Sequence, residues 1–225
     1  MDKNIRIIEI KQSVFAKNNV DANETRRELK DKKVFLVNLM SSPGSGKTTL
    51  LNVLINELKN DLKIGVMEAD IDSDVDAKSI IDHTGVEAIQ LHTGGECHLD
   101  AGMTKVGLDN LQSKDLDLIF LENVGNLVCP AEFDTGACLN ATILSVPEGD
   151  DKPLKYPLMY KVCGLVIISK VDTLKVFDFE VEKAIKNVHF RNPDAKVMLV
   201  SAKTGEGIKE LADYLREQVQ AWKGN

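Results

Sequence analysis

The chain has 225 residues, of which 43% are apolar and 28% are charged, and its net charge is −7. This length suits one α/β domain with a substantial core, and the acidic balance argues against a nucleic-acid partner, which normally requires a basic face. No apolar stretch approaches the ~20 residues of a membrane span, and the start of the chain lacks a signal-peptide core. We therefore expect a cytoplasmic protein without a membrane segment, whose four cysteines are thiols or metal ligands rather than disulfides.

The first thirty residues differ from the rest of the chain. Ile5, Ile8, Val14 and Phe15 form a partial helical stripe, and a charged segment follows them. The pattern predicts a helical extension over about residues 1–30. Two interpretations stay open here: helices packed on the edge of the domain, or an arm that docks another protein.

Apolar runs then alternate with segments of helical period. This alternation predicts βαβ units and a mostly parallel, doubly wound sheet with helices on both faces. We expect a single domain over residues 1–225. The runs that predict strands cover residues 34–40, 64–69, 87–91, 117–122, 141–146, 164–169 and 196–201.

A glycine-rich turn follows the first of these runs. It reads SSPGSGKTT and precedes a helical pattern, which is the context of a phosphate-binding loop. Its glycines let backbone N–H groups approach phosphates, and the helix N-terminus favours their charge. Ser41 stands where the pattern usually has its first glycine. The expected nucleotide contacts are Gly44, Ser45, Gly46, Lys47, Thr48 and Thr49.

Acidic residues at the ends of two other runs suit magnesium. Asp70 stands at a predicted strand tip, and Asp76 follows in a segment that could move towards a metal. Glu122 ends another run and is expected to reach the ion through water. Asp72 and Asp74 fit equally well a solvated loop before a helix, because acids favour a helix N-terminus.

A glycine follows Glu122 closely and suits a phosphate sensor. Gly125 is expected to offer its N–H to the γ-phosphate of a bound nucleotide. The magnesium ligands predicted on these grounds are Thr48, Asp70, Asp76 and Glu122. The predicted catalytic residues are Lys47, Asp70, Asp76, Glu122 and Gly125.

Two late motifs indicate guanine as the base. SKVD follows the run at 164–169 and resembles the NKxD motif of GTPases, with serine in place of asparagine. Its aspartate can accept from both guanine donors, whereas adenine leaves such a carboxylate unsatisfied. The predicted base contacts, which include a second loop after the last run, are Lys170, Asp172, Ser201, Ala202 and Lys203.

The arginine content bears on the rate of hydrolysis. Residues 28–190 contain no arginine, so the expected switch segments cannot supply an arginine finger, which is worth about 10³–10⁵ in rate. We expect slow, magnesium-dependent hydrolysis of GTP to GDP and phosphate.

Thiols lie on the same predicted edge as the nucleotide. Cys97 and His98 follow the third run, and Cys129 lies four residues after Gly125. Two thiolates and an imidazole suit zinc, nickel or copper. The alternative is that both cysteines are small apolar fillers and His98 is a surface residue.

Together these motifs identify a resemblance. The segments SSPGSGKTTLL, TGGECHLDA, ENVGNLVCPAEFD, SVPEGDDKPLKYP and SKVD are similar to those of the nickel-insertion GTPases of NiFe-hydrogenase maturation, the hydrogenase nickel-incorporation protein B family. The resemblance runs from about residue 10 to the last predicted helix. It implies a nickel or zinc site at Cys97, His98 and Cys129 near a dimer interface. It also implies GTP-dependent homodimerisation, a small nickel metallochaperone as partner and, indirectly, the hydrogenase large subunit.

The resemblance gives Cys129 a possible role in coupling. A loop that closes on GTP moves this ligand, so nucleotide and metal affinity become linked, typically by about 5–150-fold. Family members with a cysteine-rich or histidine-rich nickel-storage segment differ from this chain, whose first 96 residues contain no cysteine. Two rivals remain: an accessory GTPase for another nickel enzyme such as urease, and a regulatory GTP switch with no metal.

Overall fold

Seven parallel strands form the centre of the protein. The computed structural model describes residues 10–224, with side chains from residue 14 onward. The strands are adjacent in the order β3-β2-β4-β1-β5-β6-β7, and every paired neighbour is parallel. The strands are β1 (Phe35–Ser41), β2 (Ile64–Asp70), β3 (Glu87–His92), β4 (Leu118–Glu122), β5 (Leu139–Ser145), β6 (Leu165–Ser169) and β7 (Lys196–Leu199).

Each predicted apolar run therefore forms a strand, and the prediction of a doubly wound parallel sheet is confirmed. The order reverses around β1, because β4 and β5 lie on its two sides. Ligands of open α/β sheets bind at such a switch point, outside the carboxyl ends of the strands.

Helices cover both faces of the sheet. The described helices are α1 (Ile10–Asp31), α2 (Lys47–Leu58), α3 (Val75–Thr84), α4 (Ala101–Asn110), α5 (Cys129–Glu132), α6 (Lys152–Lys155), α7 (Pro157–Val162), α8 (Val181–Arg191) and α9 (Ile208–Gly224). The described part of the N-terminal extension is one helix, α1, which packs against α4. Ile5 and Ile8, which belong to the predicted stripe, lie outside the described residues.

The core explains why the strands read as continuous apolar runs. Along β1, Val37 and Leu39 face α2 and α9, whereas Leu36 and Met40 belong to apolar clusters on the opposite face. A parallel strand covered on both sides is therefore apolar along most of its length. Full burial of each such side chain stabilises the fold by about 1.5–3 kcal/mol.

Candidate functional site

The phosphate-binding loop connects β1 to α2. Gly44 and Gly46 have φ angles of 73° and 95°, values that favour glycine. Ser41, which replaces the usual first glycine, has a structural role: its hydroxyl donates to Ser42 O at 2.8 Å and accepts from Ser45 Oγ at 2.6 Å. The serine closes the base of the loop and leaves the N-terminus of α2, at Lys47, open to an anion.

The two predicted base-binding loops lie beside this turn. Lys170 Nζ donates to Gly44 O at 2.9 Å, so the lysine braces the phosphate-binding loop. Ser201 Oγ donates to Asp172 Oδ1 at 2.6 Å and orients that carboxylate. A cavity of about 650 Å³ joins these loops, and its lining includes Gly44, Ser45, Gly46, Lys47, Thr48, Thr49, Lys170, Asp172, Ala202 and Lys203.

Three carboxylates meet at the phosphate end of the cavity. Glu68, Asp76 and Glu122 each place an oxygen within 4.8 Å of the others. Thr48 Oγ1 donates to Glu122 Oε1 at 2.8 Å, while Glu122 Oε2 is buried and has no hydrogen-bond partner among the described residues. Three carboxylates, one of which has a buried unpaired oxygen, and a threonine hydroxyl form the hard oxygen donor set that magnesium prefers.

Burial and mutual repulsion change the acidity of this cluster. Burial raises the pKa of Glu68 to about 8, and the nearby charges of Glu122, Asp76 and Asp70 add to the increase. Burial also raises the pKa of Glu122 to about 7, although the nearby Lys47 ammonium opposes the shift. A divalent cation would relieve both effects, because opposite charge favours the ionised carboxylate.

Glu68 is the member that sequence reasoning missed. It is 2% exposed and lies within β2, two positions before the aspartate predicted at the strand tip. Gln90 Nε2 donates to its carboxylate. The available signal was a charged residue inside an otherwise apolar strand, VMEAD, since such residues are almost never fully buried unless paired.

The predicted magnesium residue Asp70 has a different local role. Its Oδ1 accepts from the backbone N–H groups of Asp72 and Ser73 at 3.1 and 2.9 Å. These bonds help to hold its pKa below the usual range although burial opposes them, and Asp70 fixes the turn that leads to α3. Asp74 forms an exposed ion pair with Lys78, which agrees with the solvated alternative.

Gly125 lies directly against the phosphate-binding loop. A Cβ atom at this position would lie 3.1 Å from Pro43 Cα, so glycine allows the two loops to approach closely. The loop continues to Cys129, the first residue of α5. A thiol therefore lies four positions after the glycine that contacts the phosphate-binding loop.

The two predicted thiols meet at this edge. The Cys129 thiol lies close to the Cys97 thiol, and its interaction with Cys97 raises the pKa of that thiol. Asn126 Nδ2 donates to Cys97 O at 3.4 Å and also links the two loops.

The third predicted ligand points elsewhere. The His98 ring stacks on Phe133 with the centroids 3.9 Å apart. Among the described residues, Cys97, His98 and Cys129 do not form a group with all three donor atoms within 4.8 Å. His98 Nδ1 is buried and has no hydrogen-bond partner among the described residues, so no protein group there occupies this nitrogen.

The remaining cysteines belong to the core. Cys163 is fully buried and packs among α7, α8 and the sheet. Cys138 Sγ accepts from Leu36 N at 3.4 Å, and burial raises the pKa of Cys138 to about 11. Both thiols therefore contribute to packing.

Comparison with known proteins identifies the family. A family model described as the nucleotide-binding domain of CobW/HypB/UreG matches residues 35–199. The chain belongs to this family. The matched segment of this CobW/HypB/UreG domain runs from β1 to β7 and contains the phosphate-binding loop, the acid cluster, both thiols and SKVD.

Within this family, the chain is similar to proteins named HypB. The hydrogenase maturation factor HypB of Azotobacter chroococcum is 46% identical over 213 residues, which are 95% of this chain and 70% of that protein. The hydrogenase/urease maturation factor HypB of Helicobacter hepaticus is 40% identical over 96% of this chain and 89% of its own length. The crystal structure of HypB from Helicobacter pylori in complex with nickel has a TM-score of 0.86 and 39% identity, and covers 91% of this chain and 96% of that one. The resemblance read from the sequence is confirmed.

Proposed function

We propose that this member of the CobW/HypB/UreG family is a GTP-hydrolysing nickel metallochaperone of NiFe-hydrogenase maturation. The observation that carries the proposal is the direct connection between its two sites. Gly125 contacts the phosphate-binding loop, and four residues later Cys129 lies close to Cys97. A nucleotide-dependent shift of this loop moves a metal-binding thiol.

The nucleotide part of the proposal assigns a task to each side of the cavity. Backbone N–H groups of residues 44–49 and the ammonium of Lys47 bind the phosphates. Asp172, oriented by Ser201, accepts the two donors of guanine, and residues 201–203 contact the same base. Lys170 keeps the phosphate-binding loop and the base loop in a fixed relation through Gly44 O.

The acid cluster is the proposed magnesium site. Thr48, Asp76 and Glu122 would hold the ion, directly or through water, and Glu68 lies behind them. When bound, magnesium neutralises charge that develops on the phosphates. Asp70 supports the site by fixing the turn before α3, and Gly125 N–H is the proposed γ-phosphate contact.

The metal part of the proposal uses Cys97, Cys129 and His98 as nickel or zinc ligands. The two thiols already lie close together, and a bound metal would displace their protons. His98 joins when its ring leaves Phe133. The nickel complex of the Helicobacter pylori relative and the donor chemistry favour nickel as the cargo.

Partners and compartment follow from the same chemistry. We propose a homodimer that GTP stabilises, formed at the metal edge, where Ile71, Val75 and Val128 are half exposed or more. Its expected partners are a small nickel metallochaperone and, indirectly, the hydrogenase large subunit. A reducing compartment such as the cytoplasm keeps both thiols free. No helix within residues 10–224 is long and apolar enough to cross a membrane.

A nickel titration tests the proposal. Reduced protein is titrated with Ni²⁺, with GDP or a non-hydrolysable GTP analogue bound, while dimer mass is followed. We expect the nickel affinity to differ between the two states by about 5–150-fold. Cys129→Ala should remove nickel binding, and the control Cys138→Ala should retain it because that thiol packs against the core. Equal affinity in both states refutes the coupling, and no binding favours a GTP switch without metal.

The client is proposed from the relatives. The protein at 46% identity is named for hydrogenase maturation alone, so hydrogenase is the proposed client rather than urease.

A single-turnover assay tests the slow hydrolysis. The isolated protein should hydrolyse GTP at a rate well below about 1 per second, since residues 28–190 contain no arginine that could act as an arginine finger. A much faster rate contradicts this part of the proposal.

A further inference from the structure

Helix α1 contacts both loops that carry the proposed nickel ligands. Its residue Asn18 is 7% exposed and makes one hydrogen bond to each. The Asn18 Oδ1 atom accepts from Ala101 N at 2.9 Å, three residues after His98. The Asn18 Nδ2 group donates to Asp134 O at 2.9 Å, five residues after Cys129. One buried amide therefore connects the two loops.

A second set of contacts fixes α1 on the segment after α5. The Arg26 guanidinium pairs with the Asp134 carboxylate through both oxygens and donates to Ala137 O at 3.0 Å. Gly136, with φ of 80°, lies so close to α1 that a Cβ atom would be 2.8 Å from Thr25 Cβ. This geometry leaves little freedom between the helix and the Cys129 segment.

A third contact reaches a proposed ligand itself. The Phe15 ring packs on Phe133 with centroids 4.9 Å apart, and Phe133 in turn stacks on His98. The Phe133 ring thus lies between α1 and the imidazole, because it contacts the tilted Phe15 ring and stacks on His98. Further along the helix, Glu28 pairs with Lys105 of α4 at 2.7 Å.

We propose that α1 is a positioning element of the metal site and that Asn18 sets the spacing between the Cys97–His98 loop and the Cys129 segment. This inference rests on the proposed function, because it assumes that these residues bind nickel. Under this proposal, the N-terminal helix α1 positions metal ligands of its own domain. Without the Asn18 amide, each loop keeps its own backbone, but the side chain that bonds to both loops is missing.

Loss of Asn18 should affect both loops because this one side chain hydrogen-bonds a backbone N–H in one segment and a backbone carbonyl in the other. Removal of the amide leaves a buried N–H and a buried carbonyl without this partner, and such groups are costly. The loops then relax separately, and the two thiols meet less often in a ligating geometry. Residues that orient metal ligands typically change metal affinity by about 10–100-fold when mutated.

The test uses full-length reduced protein and three variants. Asn18→Ala removes both bonds. Asn18→Asp keeps an acceptor for Ala101 N but cannot donate to Asp134 O. Asn19→Ala is the matched control, because Asn19 is exposed on the same helix. Nickel affinity, the thiolate-to-nickel charge-transfer absorption, GDP affinity and thermal stability are measured for each.

We expect Asn18→Ala and Asn18→Asp to weaken nickel binding by about 10-fold or more and to alter the charge-transfer spectrum, with unchanged GDP affinity and wild-type behaviour of Asn19→Ala. Recovery of wild-type nickel binding by Asn18→Asp contradicts the bridge, since capping of α4 alone then suffices. Wild-type nickel binding by folded Asn18→Ala overturns the inference. If the wild-type protein itself shows no thiolate-bound nickel, the proposed function fails first.

A second pair of variants covers the case in which Asn18→Ala does not fold. Arg26 is only partly buried, so Arg26→Ala tests the same helix with less risk to the core, and the exposed Arg27 supplies the control Arg27→Ala. Weaker nickel binding in Arg26→Ala alone supports the positioning role. Equal nickel binding in both variants, with GDP binding retained, refutes it.

Discussion

Substitution of Glu68 by glutamine should change how the stability of the ligand-free protein depends on pH. The carboxyl is buried in β2, and its pKa is raised from 4.5 to about 8 by burial and by neighbouring acids. A group with a raised carboxyl pKa binds its proton more tightly in the folded state than in the unfolded chain. Stability therefore falls as pH rises from about 4.5 to about 8.

The size of this effect follows from the two pKa values. Linkage integrated from pH 5 to pH 8 predicts that Glu68 lowers the free energy of unfolding by about 3–4 kcal/mol over this range. Glutamine has a similar shape and carries no titrating proton. The stability of Glu68→Gln relative to wild type should thus increase by about 3–4 kcal/mol between pH 5 and pH 8.

Urea denaturation at several pH values measures this difference. The protein is kept free of magnesium and nucleotide, because a bound cation would stabilise the ionised carboxylates and mask the slope. Glu57→Gln, at an exposed position of α2, is the matched control and should follow the wild-type curve. Parallel curves for wild type and Glu68→Gln between pH 5 and pH 8 would refute the reasoning.

Three further predictions concern the two sites. Asp172→Asn should weaken GTP and GDP binding by about 100-fold or more because the guanine donors lose their carboxylate; unchanged affinity in a fluorescent-nucleotide titration would contradict the base assignment. Gly125→Ala should weaken the GTP analogue more than GDP, since its Cβ would lie 3.1 Å from Pro43 Cα; equal effects in the same titration would count against γ-phosphate sensing. Lowering the pH should weaken nickel binding by up to about tenfold per pH unit for each proton that the metal displaces, because the contact with Cys129 raises the pKa of Cys97. A competition assay at pH 6.5, 7.5 and 8.5 that shows no change in nickel affinity would exclude thiolate ligation.

Local patterns in the sequence were sufficient to predict the fold. Strands buried on both faces read as nearly continuous apolar runs. β1 and β4 follow this pattern and are buried at every position, although β1 contains Asn38 and Ser41 and β4 ends in Glu122. The phosphate-binding loop and SKVD are also local, because their chemistry depends on residues adjacent in the chain. Their location after strands of a parallel sheet predicted that they would meet at one edge.

The acid cluster shows where local reasoning ended. The aspartate at the strand tip is conspicuous in the sequence, yet the structure uses Asp70 to fix a turn. Glu68, hidden in the strand, lies with Asp76 and Glu122 instead. Which carboxylates converge depends on the register of β2 against β4, where Glu68 lies opposite Glu122, and a single sequence does not contain that pairing.

The sequence by itself determined the family, the parallel sheet and the chemical types available at its carboxyl edge, because periodicity and short motifs record which residues are buried and which face phosphate. The tertiary structure alone decided how these groups are held. It stacks His98 on Phe133, brings the Cys97 and Cys129 thiols close together, and connects both loops through Asn18. Those bonds join residues 83 and 116 positions apart, and contacts at such separations arise only when the sheet has brought the chain segments together.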